Sequence, residues 1–251
     1  MKFKLKVLLA VVASSLICAH SLATGAELKL IGNYGNDLMT LIAPEFEKST
    51  GHRIRWEQGL FQKFKSVIDQ RDFDVIVATG ETADYAESQM AVIGNLVGVS
   101  QVGIGISIKK GAPKPDISTV EAFKRTMLGA KSISYTGGSS AGNYLVNLME
   151  RLGIAEQMKT KTRLLGGGGQ NPRAVAAGEV ELGLSIISDI VPIGGVELLG
   201  PLPPAIQSYI VQRAGISVAT KEPQAATAFV NFLKTASVQS ALRAQGFEPI
   251  N

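Results

Sequence analysis

Residues 27–78, ELKLIGNYGNDLMTLIAPEFEKSTGHRIRWEQGLFQKFKSVIDQRDFDVIVA, decide the fold that we predict for this chain. Short apolar runs typical of strands alternate there with longer segments whose apolar residues recur at helical spacing. In chain order these segments are Leu28 to Ile31, Leu38 to Phe46, Ile54 to Trp56, Phe61 to Ile68 and Asp74 to Ala78. The order strand, helix, strand, helix, strand predicts a parallel α/β unit.

A second α/β unit is predicted downstream, because the same alternation continues from Val102 to Ile186. Prolines at positions 201, 203 and 204 then interrupt the chain, and Tyr209 to Val218 has an extended pattern. Two closing helices are predicted at Thr227 to Leu233 and Val238 to Leu242. With 45% hydrophobic and 18% charged residues, the chain is too apolar for a disordered protein and suits two small globular domains.

The first 26 residues have the pattern of a secretory signal peptide. Lys2, Lys4 and Lys6 precede the apolar run Val7 to Ile17, and small residues follow up to Ala26. The run has about half of the roughly 20 apolar residues that a membrane-spanning helix needs. We therefore expect export to the periplasm with cleavage near Ala26, which leaves 22 basic against 21 acidic residues. This balance does not indicate binding to nucleic acid or to an anionic membrane surface.

Cysteine and histidine are scarce, which restricts the chemistry that this chain can perform. Cys18, His20 and His52 are the only residues of these two types. A disulfide framework and a thiolate zinc site are therefore excluded. We expect no bound metal and no cofactor.

Gly138-Ser139-Ser140-Ala141-Gly142 fits the nucleophile elbow of serine hydrolases. A serine nucleophile needs a base, and in that fold the catalytic histidine follows the serine in sequence. No histidine follows Ser140. A hydrolase is therefore disfavoured.

Glycine and small polar residues cluster at three predicted strand-to-helix junctions, residues 32–37, 136–142 and 166–172. In an open parallel sheet such junctions lie at the carboxyl edge of the strands, where ligands bind. Free amides at a helix start favour an anion, and glycine lets the backbone approach it closely. The alternative is that these are ordinary turns and caps, since Ser139 and Ser140 are common cap residues and Pro172 a common first-turn residue.

The order and spacing of several segments resemble those of the periplasmic molybdate-binding proteins and their relatives, a group with the type 2 solute-binding fold. The matching segments are Leu28 to Ile31, Leu38 to Phe46, Asp74 to Ala78, Lys124 to Gly142, Leu148 to Gly153, Ala174 to Gly183, Phe229 to Lys234 and Gly246-Phe247. The resemblance implies an α/β fold of two lobes with a ligand cleft between them. It places residues 27–103 and 214–251 in the first lobe and residues 104–213 in the second. It also implies a monomer that captures a small anionic ligand and delivers it to an ABC permease.

The departures from this family bear on the ligand. The positions that match two ligand-binding serines are Tyr34 and the pair Phe61-Gln62, and Ile186 stands where the family has a ligand-facing tyrosine. These replacements disfavour molybdate, a compact tetrahedral dianion. Amides around a glycine-lined pocket suit an organic di- or tricarboxylate. The expected ligand-binding residues are Asn33, Tyr34, Asn36, Gln62, Thr136, Ser139, Ser140, Ala141, Gly168, Gln170 and Arg173.

An enzymatic function is the second hypothesis, because relatives of this fold include aconitate isomerase, which needs no cofactor. Moving a double bond requires a proton to be removed beside one carboxylate and returned at the allylic carbon. Tyr34, Asp189 and Glu81 are the candidate proton carriers, although each also has a simple structural explanation. We rank organic-anion binding for transport first, tricarboxylate isomerisation second, and molybdate or tungstate binding third.

Overall fold

The computed structural model describes residues 25–33, 36–167 and 169–250, the side chains of residues 36–38 excepted. In these ranges the strands are β1 (Glu27–Gly32), β2 (Arg53–Gln58), β3 (Val75–Ala78), β4 (Val97–Lys109), β5 (Ile133–Thr136), β6 (Thr162–Leu165), β7 (Leu182–Ile186), β8 (Val196–Pro201), β9 (Tyr209–Ile216) and β10 (Glu248–Pro249). The helices are α1 (Asn36–Thr50), α2 (Phe61–Asp69), α3 (Gly80–Ser88), α4 (Val120–Gly129), α5 (Ser140–Arg151), α6 (Ala155–Lys159), α7 (Gln170–Ala176), α8 (Ile187–Ile190), α9 (Pro223–Phe232) and α10 (Ala236–Ala244).

The strands form one curled mixed sheet in the order β2-β1-β3-β9-β4-β7-β5-β6. The predicted parallel pairs are present, since β1 pairs with β2 and β3, and β5 pairs with β6 and β7. The sheet is nevertheless mixed, because β9 runs antiparallel to both β3 and β4. The α/β class is thus confirmed, with an antiparallel centre that local periodicity does not reveal.

The 13-residue strand β4 joins the two halves of the molecule. Up to Gly103 it pairs with β9, and from Ile104 onward it pairs with β7 and β8. We call the part built on β1, β2, β3, β9 and the start of β4 the first lobe, and the part built on β5 to β8 and the end of β4 the second lobe. The side-chain amide of Gln207 fixes the crossing point, because it accepts a hydrogen bond from Ile104 N and donates one to Ile104 O, both at 3.0 Å.

Each lobe has its own hydrophobic core. In the first lobe, Phe46 and Phe229 are fully buried, with ring centroids 5.1 Å apart in an edge-on arrangement. In the second lobe, Phe123 and Ile133 are buried in a separate cluster. Burying side chains of this size contributes roughly 1.5–3 kcal/mol each. Because each lobe packs around its own core, the boundary between them is free to form a cleft.

The predicted signal peptide lies outside the described residues except for Gly25 and Ala26. Ala26 extends β1, since its N–H donates to His52 Nδ1 at 3.0 Å and its carbonyl accepts from Arg53 N at 2.8 Å. None of the helices in the described part of the chain has both the length and the apolar character needed to cross a membrane.

Candidate functional site

The two lobes approach each other where α3 and α5 begin. Gly80 opens α3 with φ +50°, and a Cβ atom at this position would stand 2.6 Å from Ser140 Oγ at the start of α5. Only glycine permits this approach without displacing the serine. The carboxyl edge of β3 in the first lobe therefore faces the carboxyl edge of β5 in the second lobe.

A cavity of about 430 Å³ lies at this contact. It is lined by Gly80, Ser140, the segment 208–211 and Arg213. The first lobe thus contributes the start of α3 and β9, and the second lobe contributes the start of α5. Cavities of this volume hold small organic ligands.

The start of α5 has the geometry of an anion-binding helix terminus. Ser139 caps the helix, because its Oγ accepts a hydrogen bond from Gly142 N and donates one to Thr136 O, both at 3.0 Å. The amides of Ser140 and Ala141 have no partner among the described residues. These two N–H groups, at the positive end of a 12-residue helix, are available to a negatively charged ligand.

Asn33, at the end of β1, contacts the end of β3. Its Nδ2 donates to Thr79 O and Thr79 Oγ1 at 3.3 and 3.1 Å, and its Oδ1 accepts from Thr79 N at 2.8 Å. The amide predicted to bind ligand is therefore engaged in holding two strand ends of the first lobe together.

The corresponding edge of the second lobe is organised around Asn171, in the first turn of α7. Its Nδ2 donates to Thr136 Oγ1 at 2.9 Å, and the residue is 1% exposed. The preceding residue, Gln170, is exposed, and its Oε1 accepts from Gly166 N at 3.2 Å. Asn171 is not among the ligand-binding residues expected from the sequence, although its place two residues after the glycine run 166–169 is a usable signal.

Asp189 lies on α8, directly after β7, and is half-buried. Burial raises the pKa of its carboxyl group from 3.8 to about 6, since removal from water disfavours the charged form. Among the described residues the carboxylate has no hydrogen-bond or ion-pair partner. A carboxyl group that titrates near neutral pH is suited to accept and return a proton.

The guanidinium group of Arg173 and the backbone of Asp189 on α8 both lie close to Gly169. A Cβ atom built at Gly169 would lie 3.7 Å from Arg173 Nη1 and 3.8 Å from the backbone oxygen of Asp189. Arg173 is exposed and makes no ion pair within the described ranges. Its guanidinium group is therefore available to a ligand carboxylate.

The remaining predicted residues are distributed as follows. Gln62 and Glu81 are exposed on the first turns of α2 and α3. Tyr34, Gly168 and the side chain of Asn36 lie outside the described residues. Ile186, at the family's tyrosine position, is half-buried and packs against the core of the first lobe. No group of three His, Cys, Asp or Glu side chains in the described part of the chain could hold a metal ion.

Two lobes that meet at a cleft lined by strand ends define the fold of periplasmic binding proteins. Residues 32–248 match the family described as bacterial extracellular solute-binding protein, and the chain belongs to that family.

Three relatives illustrate its range. The chain is 27% identical to an aconitate isomerase from Pseudomonas sp over 218 residues, 83% of this chain and 82% of that protein. It is 25% identical to the molybdate-binding protein ModA of Azotobacter vinelandii, over 98% of this chain and 99% of the relative. Among solved structures, a protein from Clostridium difficile described as the substrate-binding domain of a molybdenum ABC transporter superposes on this chain with a TM-score of 0.76. That match has 16% identity and covers 90% of this chain and 100% of that domain.

Proposed function

We propose that the protein captures a small organic anion, a di- or tricarboxylate, in the cleft between its lobes and serves as the solute-binding component of an importer. The observation that carries this proposal is the pair of unpartnered amides, Ser140 N and Ala141 N, at a helix start that lines a cavity of about 430 Å³. The proposal includes a monomer in the periplasm, cleavage near Ala26 and an ABC permease as partner. It keeps the expected division into residues 27–103 with 214–251 and residues 104–213, except that all of β9 is assigned to the first lobe, because it pairs with β3 and with β4 up to Gly103.

The character of the cavity favours an organic acid over molybdate. A compact tetrahedral oxyanion requires a small cage of hydroxyls and amides, whereas this cavity, of about 430 Å³, has room for a larger ligand. Two positions that match ligand-facing residues of molybdate binders are also unsuitable, because Gln62 is exposed and Ile186 has an apolar side chain.

Thermal unfolding with added ligands tests this function. We expect citrate, tricarballylate or trans-aconitate to raise the melting temperature in a concentration-dependent way, because a ligand that binds only the folded state stabilises it. Molybdate and sulfate serve as size controls and should have no effect at equal concentration. Stabilisation by molybdate alone would contradict the proposal.

Isomerisation of aconitate is the second candidate function, and Asp189 is the observation that favours it. The carboxylate removes a proton from the methylene carbon of trans-aconitate, and the resulting negative charge spreads onto the adjacent carboxylate. Return of the proton to the other end of the three-carbon unit moves the double bond and gives cis-aconitate, so atoms and charge balance. The amides of Ser140 and Ala141 are the donors that stabilise the developing charge.

Proton NMR in heavy water tests this second candidate. The protein is incubated with trans-aconitate, and an active isomerase produces cis-aconitate signals together with loss of methylene signal through deuterium incorporation. Unchanged trans-aconitate at high protein concentration, with binding intact, would leave capture as the function of the cleft.

A further inference from the structure

Three deeply buried side-chain oxygens of the second lobe have no hydrogen-bond partner among the described residues. Two of them are Asn171 Oδ1 and Ser185 Oγ, on residues that are 1% and 5% exposed, and the third is Ser134 Oγ. Leaving such a group unsatisfied costs roughly 1–3 kcal/mol. Folded proteins rarely retain groups of this kind unless a ligand, a water molecule or the chemistry of the site uses them.

The register of the sheet indicates that the first two of these atoms lie near each other at the carboxyl edge of the second lobe. β5 and β7 are parallel and paired up to Ser134 opposite Gly183. Continuing this register by two residues directs Thr136 and Ser185 to the same face of the sheet. Asn171 joins this corner, because its Nδ2 donates to Thr136 Oγ1 at 2.9 Å. A hydroxyl, an amide and a second hydroxyl therefore lie together at the carboxyl edge of the second lobe.

We propose that Thr136, Asn171 and Ser185 form a ligand subsite that binds one carboxylate of the organic acid through neutral donors. This inference rests on the proposed function and names residues for it that the sequence-based list does not contain, apart from Thr136.

The chemistry of the three groups supports carboxylate binding. The Asn171 amide can turn by 180°, so that Thr136 donates to Oδ1 and Nδ2 becomes a free donor. Nδ2 and the Ser185 hydroxyl then supply two hydrogen bonds to one carboxylate, and hydrogen bonds to a charged group are stronger than those between neutral groups. Both unpartnered atoms are shielded from solvent in this structure, so the proposal includes an open form in which the carboxylate reaches them.

Ser134 provides a matched control within the same strand. Its Oγ is also buried and unpartnered, and the residue is 0% exposed. It lies two residues before Thr136, which places it roughly 6–7 Å deeper in the sheet. If the unpartnered hydroxyls of this sheet have no role in binding, removing the oxygen of Ser134 or of Ser185 should have the same effect on ligand affinity.

The test measures the affinity for tricarballylate, which has no double bond to move, by titration calorimetry. We expect Ser185→Ala and the isosteric Thr136→Val each to weaken binding roughly tenfold, the effect of losing one hydrogen bond to a charged group. Asn171→Asp should weaken it more than about 100-fold, because it places a second negative charge beside the carboxylate. Ser134→Ala should bind within about twofold of the unmodified protein.

The outcomes separate this inference from the proposed function. Equal affinities of Ser185→Ala and Ser134→Ala, or wild-type affinity in Asn171→Asp, would overturn the subsite and leave capture of an organic acid intact. If the unmodified protein binds no organic acid, both the function and the subsite are wrong. Melting temperatures without ligand identify a variant that fails to fold. Ser185→Ala is the safest of the set, since it removes an oxygen that has no partner.

Discussion

The two walls of the cleft differ in how completely their polar groups are satisfied. In the first lobe, Asn33 is fully engaged with Thr79, and Arg213 is held by two carboxylates of α3, Asp84 and Glu87. In the second lobe, the buried groups of Asn171 and Ser185 are unpartnered, and Asp189 is desolvated without a counter-charge in the described structure. The polar groups named for the first lobe are thus paired, whereas those named for the second lobe have no partner among the described residues.

This difference assigns separate roles to the lobes. Paired hydrogen bonds stabilise a fold by about 1 kcal/mol each, while unpaired buried groups destabilise it by a similar or larger amount. Proteins tolerate such destabilisation where function needs it. Ligand selectivity and proton transfer should therefore depend on the second lobe, and closure on the first. The following substitutions test that division, beginning with the largest expected effect.

If the protein isomerises aconitate, its second candidate function, Asp189→Asn should lower the rate by about 100-fold or more. An amide cannot accept the methylene proton, and positioned general acid–base groups typically contribute 10²–10⁴-fold. The rate is followed by NMR with trans-aconitate as substrate. Asp116→Asn, which removes an exposed aspartate of the second lobe, is the control and should keep the full rate. Full activity in Asp189→Asn would place the base elsewhere.

The same substitution should make the protein more stable at pH 7.5. The folded-state pKa of Asp189, about 6, lies above the ordinary 3.8, so the protonated form is favoured by folding. That stability is present below pH 3.8 and is lost as the pH rises through 6. At about 1.4 kcal/mol for each pKa unit, Asp189→Asn should gain on the order of 2–3 kcal/mol at pH 7.5 and almost nothing near pH 4.

Urea unfolding at the two pH values measures this gain. A loss of stability at pH 7.5 would mean that the carboxylate has a stabilising partner and belongs with the satisfied groups of the first wall. Asp189 would then be a satisfied group, and the proposed difference between the two lobes would be wrong for this residue.

Gly80→Ala should weaken ligand binding roughly tenfold by preventing close approach of the lobes. The new Cβ atom would stand 2.6 Å from Ser140 Oγ, whereas at Gly94 nothing lies within 4 Å. Both glycines have positive φ, +50° and +66°. Gly94→Ala therefore introduces a similar backbone strain but no steric contact with the other lobe, and it serves as the control. Calorimetric titration of both variants separates the two effects. Equal affinities would show that the α3–α5 contact has no part in closure.

Much of the fold can be predicted from the sequence, because its signals are local. Apolar runs locate β1, β2 and β3, and the predicted second α/β unit ends at Ile186, where β7 ends. Helix α3 cannot be found this way, since its buried face consists of small or polar residues, Thr82, Ala83 and Ala86, rather than an apolar stripe.

The site is less predictable, because its residues are brought together by strand pairing. Ser139 and Thr136 belong to a junction that the glycine pattern identifies. Ser185, by contrast, lies inside the apolar run 182–186 and has the local pattern of a strand interior. The pairing of β5 with β7, segments about 50 residues apart, ends at Ser134 opposite Gly183, and only its continuation brings Ser185 towards Thr136. The contact between Gly80 and Ser140 is likewise a contact between lobes, without a local sequence signal.

Asn33→Ala should lower the stability of the fold by about 1 kcal/mol and change ligand affinity less than Ser185→Ala does. The substitution removes the hydrogen bonds that tie the end of β1 to Thr79. Gln62→Ala, at an exposed position, should stay within about 0.5 kcal/mol of the unmodified protein. Urea unfolding and titration with tricarballylate measure both properties. If Asn33→Ala abolishes binding while stability is unchanged, the first wall contacts the ligand directly, and the division between scaffold and ligand-binding lobe is wrong.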